Sequence, residues 1–360
     1  MQKRILGASI VVVLLALAVA GQKLEPPKLE PKPSTASQKQ MIDEGVALHD
    51  RGDYDAAIRL YEQVLRENPA NVEALYEMAF TYYLKQDCVK SLEMAYKAAQ
   101  YKSNLLGEVY GQIGNCQDDL GNPKAAVETY KAGIKLMPAS FLLHYNLGLT
   151  YARLSQIEDA RIEVKKSASL NPNHASSHNL MSIAFDRGGY KTPALLAACR
   201  FLILEPKSNR SETALTLVQK IMQAGASQKD ANTITVLMDP SPKKDEGDFG
   251  SIELVLGLLR AGNLTENKKD KSEMELLVDN FGTLFSILSE QSGKSDRAKF
   301  TWTYYVPYFA ELKKQGHTEA FAYYINQRSS ISGVDKWLEQ HQSKVADFLN
   351  WSKGYQWPGI

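Results

Sequence analysis

Cysteine is scarce in this chain of 360 residues, which contains only Cys88, Cys116 and Cys199. A small and odd number of cysteines excludes the disulfide framework that holds many small exported domains together. The stability of the fold must therefore come from side-chain packing. A bridge between Cys88 and Cys116 is one interpretation, but no spacing motif favours it over two small thiols buried in helices.

An excess of charge of one sign is also lacking. The chain has 42 basic and 41 acidic residues, which gives a formal net charge of +1. Because binding to phosphates needs a basic surface, this balance argues against nucleic acid as a partner.

Motifs for catalysis, cofactors or metals are missing as well. His174 and His178 have the spacing of a metal pair on a helix, but His174 falls in the turn after Pro172 and no other ligand is near in sequence. The triplet that starts at Gly293 lacks the upstream glycine of a phosphate loop. We therefore expect that the protein is not an enzyme and that it holds no cofactor and no metal. An enzymatic site among the C-terminal helices that no motif marks is the minor alternative.

A long hydrophobic run occurs at the N-terminus, from Ile5 to Ala20, after a basic start. The run is shorter than the roughly 20 residues of a membrane-spanning helix and ends in small residues, so it predicts a signal peptide over residues 1–20. No cysteine follows the cleavage point, so a lipoprotein is not expected. The hypothesis is an exported protein of the periplasm or cell surface, attached to a membrane only if the signal is uncleaved. Its bacterial assignment rests on the brevity of the signal and the missing cysteine framework.

The segment after the signal, residues 21–37, is rich in proline. It contains four prolines with alternating Lys and Glu and no aromatic residue. Such a segment cannot bury enough apolar surface to order itself, so it is predicted to be a disordered linker.

What the sequence does contain is a repeat with a period of 34 or 35 residues between Gln38 and Ser208. One column of small residues follows this period: Ala57, Ser91, Ala126, Ala160 and Ala194. A second column does the same: Gly45, Ala79, Gly114, Gly148 and Ser182. A third closes four of the five units with proline: Pro69, Ser103, Pro138, Pro172 and Pro206. Apolar residues follow a helical period twice within each unit, which predicts a helical hairpin.

These units resemble the tetratricopeptide repeat family. The first unit matches the family pattern at Gly45, Gly52, Tyr54, Ala57, Tyr61 and Pro69. The third and fourth also match well, and the second and fifth match more weakly. The resemblance implies five units with the bounds 38–71, 72–106, 107–140, 141–174 and 175–208. The implied fold class is all-α, a superhelical array in which small residues let paired helices approach, tyrosines fill the gaps between hairpins and first helices line a concave groove.

The resemblance also implies which side chains face that groove. Carried over by position in each unit, they are Tyr76, Phe80, Tyr83, Asn115, Asp118, Asp119, Tyr145, Arg153, Asn179, Asp186 and Arg187. Aromatic rings mixed with polar and charged groups suit the capture of an extended or helical peptide. Asp118 and Asp119 favour a basic ligand group. One subtype of the family uses lysines along the groove to hold the terminal carboxylate of a peptide. Other residues occupy those lysine positions in this chain, so binding of that kind is not expected.

The C-terminal third shows no clean repeat register. Residues 209–238 are predicted to be capping helices, residues 239–250 a loop, and residues 251–360 a helical domain that contains all four tryptophans. Aromatic residues at helical spacing favour a core, and an exposed aromatic surface is the alternative. The expected helices span about 252–260, 271–290, 295–315, 318–327 and 334–353.

The leading functional hypothesis is an exported, non-catalytic scaffold. It would bind a peptide or protein in its groove and serve cell-envelope assembly or maintenance. The alternative from another class is a self-associating structural protein whose groove is filled by its own C-terminal helices.

Overall fold

The computed structural model describes residues 24–230, 233–237, 243–264, 270–292 and 299–358. The predicted signal peptide, residues 1–20, lies outside the described residues. Within the described ranges the chain forms 17 helices and one small antiparallel sheet, which confirms the helical fold class. The chain divides into two compact units, Met1–Leu170 and Asn171–Ile360.

The first unit consists of four helical hairpins in tandem. Its helices are α1 Ala36–Asp50, α2 Tyr54–Glu67, α3 Val72–Leu84, α4 Cys88–Ala98, α5 Leu106–Asp119, α6 Pro123–Leu136, α7 Phe141–Arg153 and α8 Ile157–Leu170. Helices pack in consecutive pairs, α1 with α2 through α7 with α8, and each pair packs on the next. The first helices α5 and α7 also contact each other directly.

The ends of these helices follow from their sequence. Short polar side chains cap the N-termini of α2, α3, α4 and α6 by accepting a backbone N–H: Asp53, Asn71, Asp87 and Asn122. At the turns inside the first and third hairpins, Gly52 and Gly121 adopt φ values of +83° and +81°. Residues with a side chain rarely adopt this left-handed conformation, so glycine ends the first helix of each of these hairpins.

Glycine also sets how closely the paired helices approach. A Cβ atom on Gly114 would lie 2.3 Å from Cε1 of Tyr130, and one on Gly45 would lie 2.5 Å from Cε1 of Tyr61. Both tyrosines are buried on the second helix of their hairpin. The prediction that small residues permit close packing is therefore confirmed. Each ring packs against the glycine of its own hairpin, and Tyr130 also borders a cavity lined by residues of the next hairpin.

The proline-rich segment differs from its predicted disorder. The backbone N–H groups of Lys28 and Leu29 donate to the carbonyl of Gln100, at 3.0 and 2.9 Å, and Lys102 N–H donates to the Leu29 carbonyl at 2.8 Å. Nearer the first helix, Lys32 N–H donates to the Ala70 carbonyl at 3.1 Å. The turns that close the first two hairpins thus offer backbone partners to a chain that proline already holds extended. Those partners are tertiary and are not visible in local composition.

The second unit begins with a fifth hairpin and continues into the C-terminal helices. Its elements are α9 Ala175–Gly188, α10 Lys191–Leu204, α11 Asn209–Met222, β1 Ala226–Asp230, β2 Thr233–Val236, α12 Gly250–Asn263, α13 Glu273–Gln291, α14 Phe300–Lys314, α15 Thr318–Ile325, α16 Val334–Gln340 and α17 Gln342–Gly354. The strands β1 and β2 pair antiparallel, with Ala226 opposite Val236. The expectation of capping helices throughout 209–238 is therefore wrong after α11. The predicted loop 239–250 lies partly outside the described residues.

Helix α10 is the centre of the second unit. All twelve residues from Thr192 to Ile203 are buried. This helix packs against α9, α11, α12, α14 and α15, which explains a sequence that is apolar all round. Six aromatic residues of α14 and α15 are also buried, as the core interpretation predicted: Trp302, Tyr304, Tyr305, Tyr308, Phe309 and Phe321.

Arg200 on α10 is a buried cation, with 1% of the residue exposed. Its guanidinium donates to Asn173 Oδ1 at 2.8 Å, to the Pro172 carbonyl at 3.2 Å and to Ser352 Oγ at 3.1 Å. Its guanidinium carbon lies 4.9 Å from the ring centroid of Trp357. Hydrogen bonds and a ring face therefore replace water around this charge. Across the described residues, no helix is long and apolar enough to span a membrane.

Candidate functional site

The first helices of the four hairpins in the first unit, α1, α3, α5 and α7, carry most of the residues expected in the groove. We call the surface that these helices form the first-helix face. Tyr76, Phe80 and Tyr83 are spaced by four and three residues along α3. This spacing puts them on one side of the helix. On α5, Asp118 and Asp119 follow Asn115 by three and four residues, so these three side chains also share one side of their helix.

A cavity of about 190 Å³ opens on this face between α3, α5 and α7. We call it the acidic pocket. It is lined by Tyr83, Asn115, Asp118, Asp119, Tyr130, Asn146, Leu149, Thr150 and Arg153.

The two carboxylates of the acidic pocket have different partners. Asp118 Oδ2 accepts hydrogen bonds from Thr150 Oγ1 at 3.0 Å and from Arg153 Nη1 at 2.5 Å. Asp119 Oδ2 accepts a hydrogen bond from Tyr83 Oη at 2.9 Å. Asp119 is exposed, whereas the side chain of Asp118 is only 9% exposed. A neutral phenol therefore orients the exposed carboxylate of Asp119, while the exposed guanidinium of Arg153 compensates the buried carboxylate of Asp118.

Tyrosine hydroxyl groups fix the geometry of the pocket. Burial and the hydrogen bond to Asp119 raise the pKa of Tyr83 well above its ordinary value, so its phenol remains a donor at neutral pH. Tyr130 Oη donates to Asn115 Oδ1 at 2.8 Å. The amide nitrogen of Asn115 is thereby directed away from the phenol and remains available as a donor.

An aromatic cluster lies beside the acidic pocket on α3. The rings of Tyr76 and Phe80 are stacked, with centroids 6.3 Å apart and planes 10° apart. The imidazole of His49 meets Phe80 edge-on at 5.6 Å. Burial raises the pKa of Tyr76 to about 12. Both Tyr76 and Phe80 are half-buried, so each offers part of a ring face to a ligand.

A third feature of this face is Glu77, which follows Tyr76 on α3. Burial, and next the neighbouring carboxylate of Glu73, raise the pKa of Glu77 to about 7. Lys39 on α1 opposes the shift, but its ammonium is engaged with Glu73 at 2.6 Å and with Asp43 at 2.8 Å. The charge of the first-helix face therefore changes near neutral pH.

The structure brings together five of the residues predicted from the sequence. These are the members of the acidic pocket Tyr83, Asn115, Asp118, Asp119 and Arg153. Tyr145 is half-buried on α7 and does not line that cavity. Asn179 and Arg187 lie on α9 in the second unit, where Asp186 pairs with Lys220 Nζ at 3.2 Å.

Sequence reasoning did not assign Tyr130, Leu149 and Thr150 to the site. Leu149 occupies the ninth position of the fourth unit, so the positional rule could have found it. Thr150 reaches Asp118 across 32 residues, and Tyr130 serves both packing and the pocket; no local signal marks either role. Among the described residues, no group of three or more His, Cys, Asp and Glu could hold a metal ion.

Comparison with protein families agrees with the repeat geometry. A family model described as "TPR repeat" matches residues 45–86. A second, described as "Tetratricopeptide repeat", matches residues 107–140 and 143–174. These matches fall on the hairpins that build the first-helix face.

Individual relatives are distant. A segment of 210 residues is 25% identical to the BBSome complex member BBS4 of Bos taurus, over 55% of this chain and 40% of that protein. A segment of 97 residues is 31% identical to the protein O-mannosyl-transferase F38B6.6 of Caenorhabditis elegans, over 27% of this chain and 14% of that protein. The chain thus spans less than half the length of the curated relatives that it matches. Among solved structures, pilF of Pseudomonas aeruginosa aligns with a TM-score of 0.46 and 19% identity, over 51% of this chain and 83% of that one.

Proposed function

This chain belongs to the tetratricopeptide-repeat family, and from that premise we propose that its first-helix face binds an extended peptide segment that places a basic side chain in the acidic pocket. Proteins of this fold generally act as scaffolds for other proteins. The proposal that a basic side chain enters the acidic pocket rests on the hydrogen-bonded pair of Tyr83 and the exposed Asp119. A carboxylate held by a neutral donor is ready to bind a guanidinium or ammonium group.

The neighbouring groups suit a peptide better than a small cation. The stacked rings of Tyr76 and Phe80 supply apolar area next to the pocket, and rigid aromatic side chains lose little entropy on binding. Asn115 and Asn146 supply amide groups that can hydrogen-bond to a peptide backbone. Aromatic area would provide affinity, and the carboxylates would set the register of the bound segment.

We further propose that the protein works outside the cytoplasm, in the assembly or maintenance of a cell envelope. Support for export is the run from Ile5 to Ala20 with Lys3 and Arg4 before it. Detection of the mature N-terminus at Gly21 in a secreted or periplasmic fraction would support this proposal. Recovery of the full-length chain in the cytoplasm alone would contradict it.

Selection from a display library of random peptides tests the binding proposal and does not require an identified partner. The immobilised protein should enrich sequences that contain Arg or Lys beside an apolar residue. Two variants then locate the site: the triple change Tyr76→Ala, Phe80→Ala and Tyr83→Ala, and the single change Asp119→Asn. Loss of the enriched peptides with both variants supports the proposal. Equal enrichment on the wild type and on both variants would remove the first-helix face as the binding site.

A further inference from the structure

The segment before α1, residues 24–34, is held against the hairpins by its backbone, and we call it the strap. The N–H of Leu29 donates to the Gln100 carbonyl at 2.9 Å, and its carbonyl accepts from Lys102 N–H at 2.8 Å. These two bonds form a parallel bridge between Leu29 and Tyr101 in the turn that closes the second hairpin. Backbone pairing of this kind is also how extended peptides add to the edge of a folded protein.

Two buried amides in the turn that closes the first hairpin also hold the strap. Asn68 and Asn71 are only 1% and 2% exposed. Asn68 Nδ2 donates to the carbonyls of Lys32 at 3.1 Å and Pro33 at 3.3 Å. Asn71 Nδ2 donates to Ser34 Oγ at 2.7 Å. Because a buried amide needs hydrogen-bond partners, this turn is built to hold an extended chain.

The strap itself buries little surface. None of its eleven residues, all of which the structure describes, is buried, and eight of them are exposed. Even Leu29, at the centre of the bridge, is 45% exposed. The core of the hairpins is therefore complete without the strap. A segment held by backbone hydrogen bonds with so little apolar burial resembles a bound peptide more than a part of the core.

The strap also fits its site incompletely. A cavity of about 310 Å³ opens between the strap and the second hairpin, with Tyr96, Ala99 and Gln100 on the hairpin side. In the first turn, Asn68 Oδ1 is buried and has no hydrogen-bond partner among the described residues. The site thus offers space and one acceptor that the strap does not use.

We propose that the turns closing the first two hairpins form a second peptide-binding site, which the strap occupies as a built-in ligand. Its partner is an extended, proline-containing segment of another protein, because proline keeps the backbone extended and so reduces the entropy lost on binding. An acidic residue in that segment suits the site as well, since Lys102 Nζ pairs with Glu30 at 2.6 Å. None of these residues lines the acidic pocket.

A tethered ligand controls access to its site. A short flexible tether gives an effective concentration on the order of 1 mM, against which a partner in solution must compete. The apparent affinity for the partner falls in proportion to the fraction of time for which the site is empty. A strap bound for about 90% of the time lowers that affinity about tenfold.

Amide hydrogen exchange of the full wild-type chain, followed by mass spectrometry, is the first test. The strap amides of Lys28, Leu29 and Lys32 should be protected, yet should exchange at least tenfold faster than the amides in the middle of α2. This result is expected because the strap leaves its site without opening the hairpins. Exchange as slow as that of α2 would make the strap an integral part of the fold, and no protection would mean that the site does not hold it. Either outcome overturns the proposal.

Titration with a labelled peptide of residues 24–34, measured by fluorescence anisotropy, is the second test. It compares the wild type with a full-length variant whose residues 24–33 are replaced by alternating Gly and Ser. The variant keeps Thr35, which caps α1. It should bind the peptide at least tenfold more tightly than the wild type does, and a scrambled peptide should bind to neither. Equal affinities would overturn the proposal.

Circular dichroism checks that the variant is folded, and the exchange test on the wild type decides the proposal if it is not. Neither experiment uses the acidic pocket. Failure here is therefore distinguishable from failure of the proposed binding at the first-helix face.

Discussion

Tyr83 on α3 donates a hydrogen bond to Asp119 on α5, with 2.9 Å between Oη and Oδ2. The two residues are 36 positions apart and belong to consecutive repeat units. Neither α3 nor α5 alone could form this pair. The acidic pocket therefore depends on the stacking of hairpins, and a change that alters the packing between units should alter the site.

Asp119→Asn is expected to lower the affinity for a selected Lys- or Arg-containing peptide about tenfold or more, since a hydrogen bond to a charged group contributes about 1.5–3 kcal/mol. Isothermal titration calorimetry measures the change. The matched control is Asp159→Asn, which removes the same charge from an exposed position on α8. If both variants weaken binding equally, the effect is that of net charge and not of the pocket.

Gly114→Ala should destabilise the first unit by about 2–3 kcal/mol, because the new Cβ would overlap the buried ring of Tyr130 and force it to move. Gly111→Ala on the same helix is the control. Its Cβ would lie 3.9 Å from its nearest neighbours, so removing a flexible residue from a helix should stabilise by about 0.5–1 kcal/mol.

Far-UV circular dichroism follows these two variants through urea unfolding. Tryptophan fluorescence reports the second unit alone, because Trp302, Trp337, Trp351 and Trp357 all lie there. If the Gly114→Ala variant loses the same amount of stability by circular dichroism and by tryptophan fluorescence, the two units unfold together. Equal stabilities for the two glycine variants would contradict the packing argument.

The parts of the fold that sequence predicts well are those with local causes. The hairpins follow from the periodic small residues and from the capping side chains at Asp53, Asn71 and Asn122. The ordering of the proline-rich segment could not be predicted, because Leu29 and Lys32 obtain their partners from turns about 40 to 70 residues further along the chain. The β-hairpin after α11 was missed because β1 has no alternation of apolar residues and β2 alternates over only four residues, Thr233–Val236.

In the candidate site, too, features with a local cause could be predicted and features set by tertiary contacts could not. Position within each repeat was enough to assign Tyr83, Asp118 and Asp119 to one face, since the period fixes the face. It could not assign the partners of these residues. The contact of Thr150 with Asp118 depends on how far one hairpin is rotated against the next, which no single unit encodes.

Stability of the first unit should depend on pH through Glu77. Its folded pKa of about 7 exceeds the ordinary value of 4.5, so its contribution to stability is present below pH 4.5 and is lost as the pH rises through 7. The groups that face it are Glu73 and Asp50, which raise its pKa, and Lys39, which lowers it. Glu77→Gln cannot ionise. It should therefore be more stable than the wild type at pH 8, by about 1–2 kcal/mol because water screens a half-buried carboxylate, and equally stable at pH 4.5.

Urea unfolding followed by circular dichroism at both pH values measures this difference. Glu93→Gln, an exposed carboxylate on α4 that pairs with Lys97, is the control and should shift stability little at either pH. A Glu77→Gln variant whose stability relative to the wild type is the same at pH 4.5 and pH 8 would contradict the raised pKa.

Arg200→Lys should destabilise the second unit by about 2–4 kcal/mol, although it preserves the charge. Lysine cannot reproduce the fork that reaches Asn173, Ser352 and the Pro172 carbonyl, and its ammonium would leave some of these buried acceptors without a donor. Arg210→Lys is the control, because that side chain is 44% exposed and its ion pair with Glu205 is accessible to water. It should cost less than about 1 kcal/mol.

Tryptophan fluorescence during urea unfolding measures both variants. Because Trp357 stacks on Arg200, exposure of its ring should accompany the loss of stability in Arg200→Lys. Equal costs for the two substitutions would show that the buried guanidinium contributes no more than a surface ion pair.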